Sequence, residues 1–199
     1  TRKKKGIFRK KPQEVRAIVV KEGSRDIINE AFRVLRTNLE FMTGKDKASN
    51  VIIVTSFNPG SGKSFLTMNI AVSFAIKGKK VLVIDGDLRH GSASSYIDSP
   101  TKGLSDYLGG RIDNLNEIIV TNPKQKYLDI LPVGTIPPNP TELLFDDRLK
   151  QVIDTVREQY EYVLIDCPPI ELVADTQIIE KLAVSYTHLR AHETEADLV

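Results

Sequence analysis

Five side chains of this sequence have types and spacings that suit polyphosphate chemistry. Lys63 and Ser64 end the run VIIVTSFNPGSGKS, and three aspartates stand directly after apolar runs. In a glycine-rich turn of this kind, backbone N–H groups approach phosphate oxygens, a lysine reaches the β- and γ-phosphates, and a serine hydroxyl takes a Mg²⁺ position. We therefore interpret the turn as a nucleotide-binding loop made by Pro59, Gly60, Ser61, Gly62, Lys63, Ser64 and Phe65.

The three aspartates are Asp85 and Asp87, in VLVIDGDLRHG, and Asp166, in YVLIDCPP. Each follows a predicted strand, and open α/β sheets bind their ligands at the carboxyl ends of strands. A single such aspartate is as often a turn or capping residue, but all three with a Lys-Ser loop point to a metal-dependent nucleotide site. Phosphoryl transfer needs positioning and charge neutralisation, which Lys63, Mg²⁺ and carboxylates supply. Asp85 is the candidate base toward an attacking hydroxyl.

Strands and helices alternate along the chain, which predicts an α/β fold with a mainly parallel sheet. Apolar runs predict strands at 17–20, 51–56, 81–84, 127–133 and 162–165. Helical patterns and stop signals predict helices at 25–42, 63–76, 104–108, 115–119, 142–160 and 176–183. We expect a P-loop NTPase sheet flanked by helices in three layers, α/β/α. Since no apolar strand follows the last helix, we also expect the sheet to be C-terminally truncated.

The first predicted helix, with Ser24 as its N-cap, has two informative faces. Apolar side chains at helical spacing predict a buried stripe made by Ile28, Phe32, Leu35 and Leu39. Three charged residues lie three apart on a neighbouring face, namely Glu30, Arg33 and Arg36. This second face suits either solvent or bidentate salt bridges with another copy of the chain.

Composition places the 199-residue chain among single globular domains. Its one cysteine, Cys167, fits a reducing compartment, and no apolar run reaches the roughly 18 residues of a membrane span. Residues 1–11 hold seven basic groups and no acid. This arm suits a solvated tail, a nucleic-acid contact or a juxtamembrane segment near anionic lipid. Because the chain starts at Thr1, we expect an upstream segment and favour the juxtamembrane interpretation.

Together, the motifs resemble the cytoplasmic kinase domain of bacterial tyrosine kinases that control capsule and exopolysaccharide export. Three stretches resemble nucleotide motifs of that family, namely TSFNPGSGKS (55–64), VLVIDGDLRHG (81–91) and YVLIDCPP (162–169). VGTIPPNPTELL (133–144) is similar to a further family stretch. The first predicted helix carries the family's E-x-x-R-x-x-R pattern as Glu30, Arg33 and Arg36. The resemblance covers about residues 24–182.

This resemblance implies an ATP- and Mg²⁺-dependent protein-tyrosine autokinase that regulates capsular or exopolysaccharide biosynthesis. The candidate catalytic residues are then Lys63, Asp85 and Asp87. Lys63 would bind phosphate, Ser64 would hold Mg²⁺, and Asp87 and Asp166 would support the metal. Asp85 would help to deprotonate the acceptor tyrosine.

The resemblance also implies partners. Glu30, Arg33 and Arg36 would form subunit contacts in a ring. An upstream transmembrane region or membrane activator and a cognate tyrosine phosphatase would complete the system at the cytoplasmic face of the bacterial inner membrane. No nucleic-acid partner is expected, because the basic arm lacks interleaved aromatic residues.

Two features depart from the family pattern. Phe57 occupies the position of the first glycine of the strict phosphate-loop motif G-x-x-x-x-G-K-[ST]. The family's C-terminal tyrosine cluster is absent, and we expect packing roles for the dispersed tyrosines Tyr96, Tyr107, Tyr127, Tyr160 and Tyr162.

Two other functions stay open. One is an ATPase switch of the partitioning and division-site class, which carries K-G-G-x-x-K-[ST]; Asn58 stands here at the position of its first lysine. The other is a nucleotide-binding regulator of polysaccharide chain length without kinase activity.

We divide the chain into a basic arm at 1–23, a P-loop kinase domain at 24–183 and a tail at 184–199. Residues 184–194, VSYTHLRAHET, have no strand period and resemble the translation of a transposase-based sequencing adapter. Our hypothesis is that native sequence stops near Leu182 or Ala183, a genuine polar tail being the alternative. The adapter hypothesis would be contradicted if the coding DNA specified these residues with synonymous codons that differ from the adapter sequence. We therefore leave Tyr186, His188 and His192 out of the site.

Overall fold

The computed structural model describes residues 17–43, 50–144 and 147–169, and the backbone of 187–191. The elements, in chain order, are α1 (Ile27–Thr43), β1 (Asn50–Ser56), α2 (Lys63–Ile76), β2 (Val81–Asp85), α3 (Leu104–Leu108), β3 (Val120–Thr121), β4 (Leu128–Leu131), α4 (Pro140–Leu144), α5 (Asp147–Arg157), β5 (Tyr162–Asp166) and β6 (Thr187–Ala191). Two 3₁₀ segments, Ser94–Ile97 and Leu115–Glu117, lie among them. The basic arm and the helix predicted at 176–183 fall outside the described residues.

The strands form one sheet in the order β3-β4-β2-β5-β1-β6. All neighbouring strands are parallel except β3, which is antiparallel to β4. β1, β2 and β5 are buried along their whole length, as is usual for parallel strands covered on both faces. The predicted α/β fold with a mainly parallel sheet is therefore confirmed.

Helices cover both faces of the sheet and produce the predicted three layers. On one face, α5 packs Leu149 and Val152 into a core with residues of β1, β2 and β5. On the other face, α2 packs Met68 and Phe74 against the sheet, and α1 adds Phe32 to the same core. Burial against the sheet holds α2 in place, and the first residues of α2 belong to the candidate site.

The predicted strand at 17–20 is not formed. Instead, the side chain of Asn69, a buried residue of α2, forms hydrogen bonds with the backbone of residues 17–20. The Asn69 Oδ1 atom accepts bonds from the N–H groups of Val19 at 2.8 Å and Val20 at 3.2 Å, and its Nδ2 donates to Ala17 O at 3.2 Å. Because these groups are satisfied by a side chain, the segment crosses α2 without joining the sheet.

The first helix begins later than predicted, at Ile27, and the cap is Asp26 rather than Ser24. The Asn29 N–H donates to Asp26 Oδ1 at 2.9 Å. Asn29 is only 3 % exposed whereas Ile28 is 52 % exposed, so the buried stripe contains Asn29 in place of Ile28. The Asn29 Oδ1 accepts the Lys21 N–H at 2.8 Å, which satisfies this buried amide. Phe32 and Leu39 are buried as predicted.

Other element boundaries also differ. The strand predicted at 127–133 shortens to β4, because Tyr127 adopts a positive φ of 68° that an extended strand cannot contain. The helix predicted at 142–160 consists of α4 and α5, on either side of residues 145–146, which are not described. The segment at 115–119 is a single 3₁₀ turn, and the two-residue β3 was not predicted.

The run predicted to lack a strand contains β6. Its backbone pairs in parallel with β1, with Ile53 opposite His188. The prediction that no strand forms here was therefore wrong, because a short segment can extend the exposed edge of β1 through backbone groups alone. The adapter origin of residues 184–199 stays a prediction.

Candidate nucleotide site

The loop after β1 has the backbone shape that a phosphate site requires. Gly60 and Gly62 adopt positive φ angles of 76° and 79°, where a residue with a side chain would be strained. The hydroxyls of Ser56 and Ser61 both donate to Asn58 O, at 2.9 and 3.0 Å, and close the loop on itself. The loop runs directly into the first turn of α2, whose free N–H groups favour anions.

Other loop residues face away from this concave backbone. Phe57, at the position of the missing glycine, is exposed. The Phe65 ring packs edge-on against Phe32 with ring centroids 6.3 Å apart, so Phe65 would serve the loop through its backbone N–H. Pro59 is exposed at the tip of the loop.

Lys63 is the first residue of α2, and its side chain is 9 % exposed. Its Nζ lies 3.9 Å from Asp87 Oδ2, too far for a hydrogen bond but close enough for an ion pair. Burial removes water that would screen the lysine charge, so the charge acts strongly on any group in the loop.

Asp87 is held by its own loop. Its Oδ1 accepts the N–H groups of Arg89 and His90, both at 3.3 Å, and lies 3.1 Å from His90 Nδ1. His90 was not among the candidate site residues, although the D-x-x-H spacing is a signal that could have shown the contact. His90 Nδ1 also lies 3.2 Å from Asp87 Oδ2, the oxygen nearest to Lys63, so these loop contacts fix the orientation of the Asp87 carboxylate.

Asp166 ends β5 and is completely buried. Within the described residues, neither of its carboxylate oxygens accepts a well-formed hydrogen bond, although the Ser64 hydroxyl is near enough to act on its charge. Burial raises the pKa of Asp166, and the negative charge of Asp85 adds to this effect, while the Ser64 hydroxyl and the Lys63 charge oppose it. A buried carboxylate without partners is costly unless a cation or proton neutralises it, so this group fits Mg²⁺.

The described residues contain no cluster of three or more His, Cys, Asp or Glu side chains arranged to hold a metal by themselves. This is consistent with Mg²⁺ chemistry, because Mg²⁺ is commonly bound by one or two carboxylates together with substrate phosphates. Ser64, Asp87 and Asp166 would hold such an ion beside the loop.

Asp85 ends β2 and is register partner of Asp166 on β5. Its Oδ2 accepts both the N–H and the hydroxyl of Ser94, each at 2.6 Å, and its Oδ1 accepts the Asp87 N–H at 3.3 Å. Burial raises the pKa of Asp85, the two Ser94 bonds oppose the rise, and the charge of Asp87 adds to it. A carboxylate with a raised pKa is better suited to accept a proton near neutral pH.

The structure thus places Lys63, Ser64, Asp85, Asp87 and Asp166 at one edge of the sheet, where β1, β2 and β5 end. The charged residues of α1 lie elsewhere. Glu30 and Arg33 form an ion pair on the exposed side of α1, with their atoms 2.5 Å apart. Arg36 instead donates to Ser73 O of α2 at 3.0 Å.

A parallel sheet with a glycine loop, a buried lysine and strand-end carboxylates defines a P-loop nucleotide-binding domain. Residues 49–184 match the family model described as the AAA domain. The tyrosine-protein kinase YwqD of Bacillus subtilis is 37 % identical over 169 residues, which cover 84 % of this chain and 70 % of YwqD. The chain belongs to the family of bacterial P-loop tyrosine-protein kinases.

Two further comparisons agree with this family. A Klebsiella pneumoniae protein, whose name places it in the cps region as a tyrosine-protein kinase, is 36 % identical over 165 residues, or 82 % of this chain; the match spans only 22 % of that protein. The structure of the kinase domain of Escherichia coli tyrosine kinase ETK superposes with a TM-score of 0.76 at 34 % identity, covering 84 % of this chain and 64 % of that one.

The division-site class is more distant. The cell division ATPase MinD of Pyrococcus furiosus superposes with a TM-score of 0.53 at 28 % identity, over 61 % of this chain and 51 % of that one.

Proposed function

We propose that this chain is the catalytic domain of an ATP- and Mg²⁺-dependent protein-tyrosine autokinase that regulates capsular or exopolysaccharide biosynthesis. The observation that carries the proposal is the convergence of three buried carboxylates on a phosphate loop with a buried lysine. The similarity to YwqD and to the K. pneumoniae protein supports tyrosine as the acceptor and the polysaccharide context.

Each residue then has a distinct task. Lys63 binds and neutralises the β- and γ-phosphates, and backbone N–H groups of residues 59–65 orient them. Ser64, Asp87 and Asp166 would hold Mg²⁺, which would neutralise charge on the phosphate oxygens. Asp85 accepts the proton of the attacking tyrosine hydroxyl. Catalysis of this kind depends on positioning and charge neutralisation, which the loop N–H groups and the Lys63 charge would supply.

Phosphotransfer from Mg-ATP, measured with a peptide carrying a tyrosine cluster added in trans, tests the proposal. Phosphotyrosine that requires both Mg²⁺ and the protein is the expected product. Free phosphate without phosphotyrosine would overturn the proposal in favour of an ATPase switch. Bound nucleotide with neither product would overturn it in favour of a chain-length regulator.

Two observations favour the kinase over the ATPase switch. Asn58 occupies the position of the lysine that partitioning and division-site ATPases carry, and its backbone carbonyl serves to close the loop. The structural similarity to MinD also covers less of the chain, with a lower TM-score, than the similarity to the ETK kinase domain.

We further propose self-association through α1, with the exposed pair Glu30 and Arg33 in the contact. Arg36 would join the same contact; it donates to Ser73 O of its own chain at 3.0 Å, just as Arg33 donates to Ser24 O. The double change Glu30→Ala and Arg33→Ala should shift the protein to a smaller species in light scattering after size exclusion. The matched control is Lys150→Ala with Asp154→Ala, an exposed pair on α5 whose charged atoms are 3.8 Å apart. An unchanged mass for the α1 variant, or an equal shift for both variants, would contradict the proposal.

The proposed location is the cytoplasmic face of the bacterial inner membrane, next to an upstream transmembrane region or a membrane activator, with a cognate tyrosine phosphatase as antagonist. Across the described ranges, none of the helices combines the length and apolar character needed to span a membrane.

A further inference from the structure

Ser94 is a buried residue outside all the sequence motifs, and it contacts the candidate base. It begins the 3₁₀ segment Ser94–Ile97 and is 3 % exposed. Both its N–H and its hydroxyl donate to the same oxygen, Asp85 Oδ2, each at 2.6 Å. Two short hydrogen bonds to one oxygen fix the rotation of the Asp85 carboxylate plane, because turning the group would break both bonds.

The hydroxyl of Ser94 is itself fixed from the opposite side. The N–H of Val133, which lies just after β4, donates to Ser94 Oγ at 2.8 Å. Since the oxygen accepts this bond, its single proton points at Asp85. The segment that contains Val133 is anchored in turn, because Leu104 N–H donates to Pro132 O at 2.8 Å and Ser105 N–H donates to Val133 O at 2.9 Å.

The second oxygen of Asp85 is held more loosely. Asp85 Oδ1 accepts the Asp87 N–H at 3.3 Å, a long bond, and retains lone-pair capacity for another donor. Ser94 thus occupies one carboxylate oxygen and leaves the other for a substrate hydroxyl.

We propose that Ser94 is a positioning residue: it holds Asp85 so that Oδ1 is presented to the acceptor hydroxyl. This inference rests on the proposed function, in which Asp85 is the base. It assigns Ser94 no contact with nucleotide or metal, so its removal should affect turnover and leave nucleotide binding intact.

The first test compares Ser94→Ala with Ser94→Thr, which keeps a hydroxyl, in the full chain. The matched control is Ser95→Ala, since Ser95 lies in the same 3₁₀ segment but its hydroxyl donates to Ser92 O. Ser94→Ala should lower kcat by about 10- to 100-fold, the usual loss when a reacting group is misplaced. The Kd of a fluorescent ADP analogue with Mg²⁺ should change by less than about twofold, because Ser94 is assigned no contact with nucleotide or metal. Ser94→Thr should recover most of the lost kcat, and Ser95→Ala should behave as wild type.

A double-mutant cycle with Asp85→Ala separates positioning from a merely structural role. If Ser94 acts through Asp85, adding Ser94→Ala to Asp85→Ala should change the residual kcat by less than about twofold, whereas independent effects would multiply. A further loss as large as in the wild-type background would overturn the proposal. An unchanged kcat for Ser94→Ala, or a parallel loss of nucleotide binding, would also overturn it.

Melting temperatures keep this inference separate from the kinase proposal. If the wild type forms neither phosphotyrosine nor phosphate, the kinase proposal fails, and the same cycle is read from Tm. Strongly non-additive Tm shifts for Ser94→Ala and Asp85→Ala, with additive shifts for Ser95→Ala and Asp85→Ala, would still show that Ser94 holds Asp85. Additive shifts in both cycles would overturn the inference.

Discussion

Replacing Lys63 with methionine is expected to lower kcat for phosphotransfer from Mg-ATP by on the order of 100-fold or more. Methionine has a similar length but no charge, so the loop keeps its shape and loses the group that neutralises the transferred phosphate. The effect should be large because Lys63 is buried, and a charge shielded from water acts strongly on its partner. Nucleotide affinity should fall as well, but by less than kcat, since charge on the transferred phosphoryl group changes most in the transition state.

Lys77→Met is the matched control, because Lys77 lies directly after α2, at the end far from the loop, and pairs with Glu40 at 2.9 Å. This variant should retain wild-type kcat. Initial rates of phosphotyrosine formation and the Kd of a fluorescent ADP analogue should be measured for both variants. A Lys63→Met protein that is folded and retains more than about a tenth of wild-type kcat would contradict the assigned role.

The stability of the nucleotide-free protein is expected to fall as the pH rises from about 5 to about 8. Burial, with the charge of Asp85, raises the pKa of Asp166 from 3.8 to about 8. In that window the folded protein keeps a proton that the unfolded chain has lost, so the free energy of unfolding decreases with rising pH. The stabilising contribution is complete below 3.8 and is lost as the pH passes the folded value near 8. Asp85, whose pKa is also raised by burial, acts in the same direction.

Asp166→Asn should remove most of this pH dependence, because the asparagine amide needs no proton to be neutral. Melting temperatures at pH 5.5 and 8.5 without nucleotide measure it, and the wild type should lose at least roughly 3 °C more than the variant. Asp154→Asn, a change at an exposed position of α5, should melt with the wild-type pH dependence. Equal pH dependence in Asp166→Asn and wild type would show that Asp166 is not the group responsible.

The same variant tests the metal role of Asp166. Mg²⁺ with ADP should raise the melting temperature of the wild type at pH 8.5, because bound cation neutralises the buried carboxylate and ligand binding stabilises the folded state. Asp166→Asn should lose the part of this rise that requires Mg²⁺. A rise that is identical in the two proteins would argue against Asp166 as a metal-supporting residue.

Local sequence determined the elements that build the site. The apolar runs before Asp85 and Asp166 specify buried parallel strands, and the glycines before Lys63 specify a turn that enters a helix. These signals are short in range, since strand burial, glycine conformation and helix initiation each depend on a few adjacent residues. The order of the motifs was also sufficient to indicate the family that the comparisons later showed.

Tertiary structure alone decided which side chains complete these elements. Asn69 prevents a strand at 17–20 through bonds that span about fifty positions, and Val133 fixes Ser94 across 39 positions. Asn29 replaces Ile28 in the core because Lys21 satisfies its amide. No local pattern signals such partners, since a polar residue is stable in a core only where a distant group completes its hydrogen bonds. The sequence was enough to locate Asp85 and Asp166. Only the tertiary structure shows that Ser94 donates two hydrogen bonds to Asp85 whereas neither oxygen of Asp166 accepts a well-formed one.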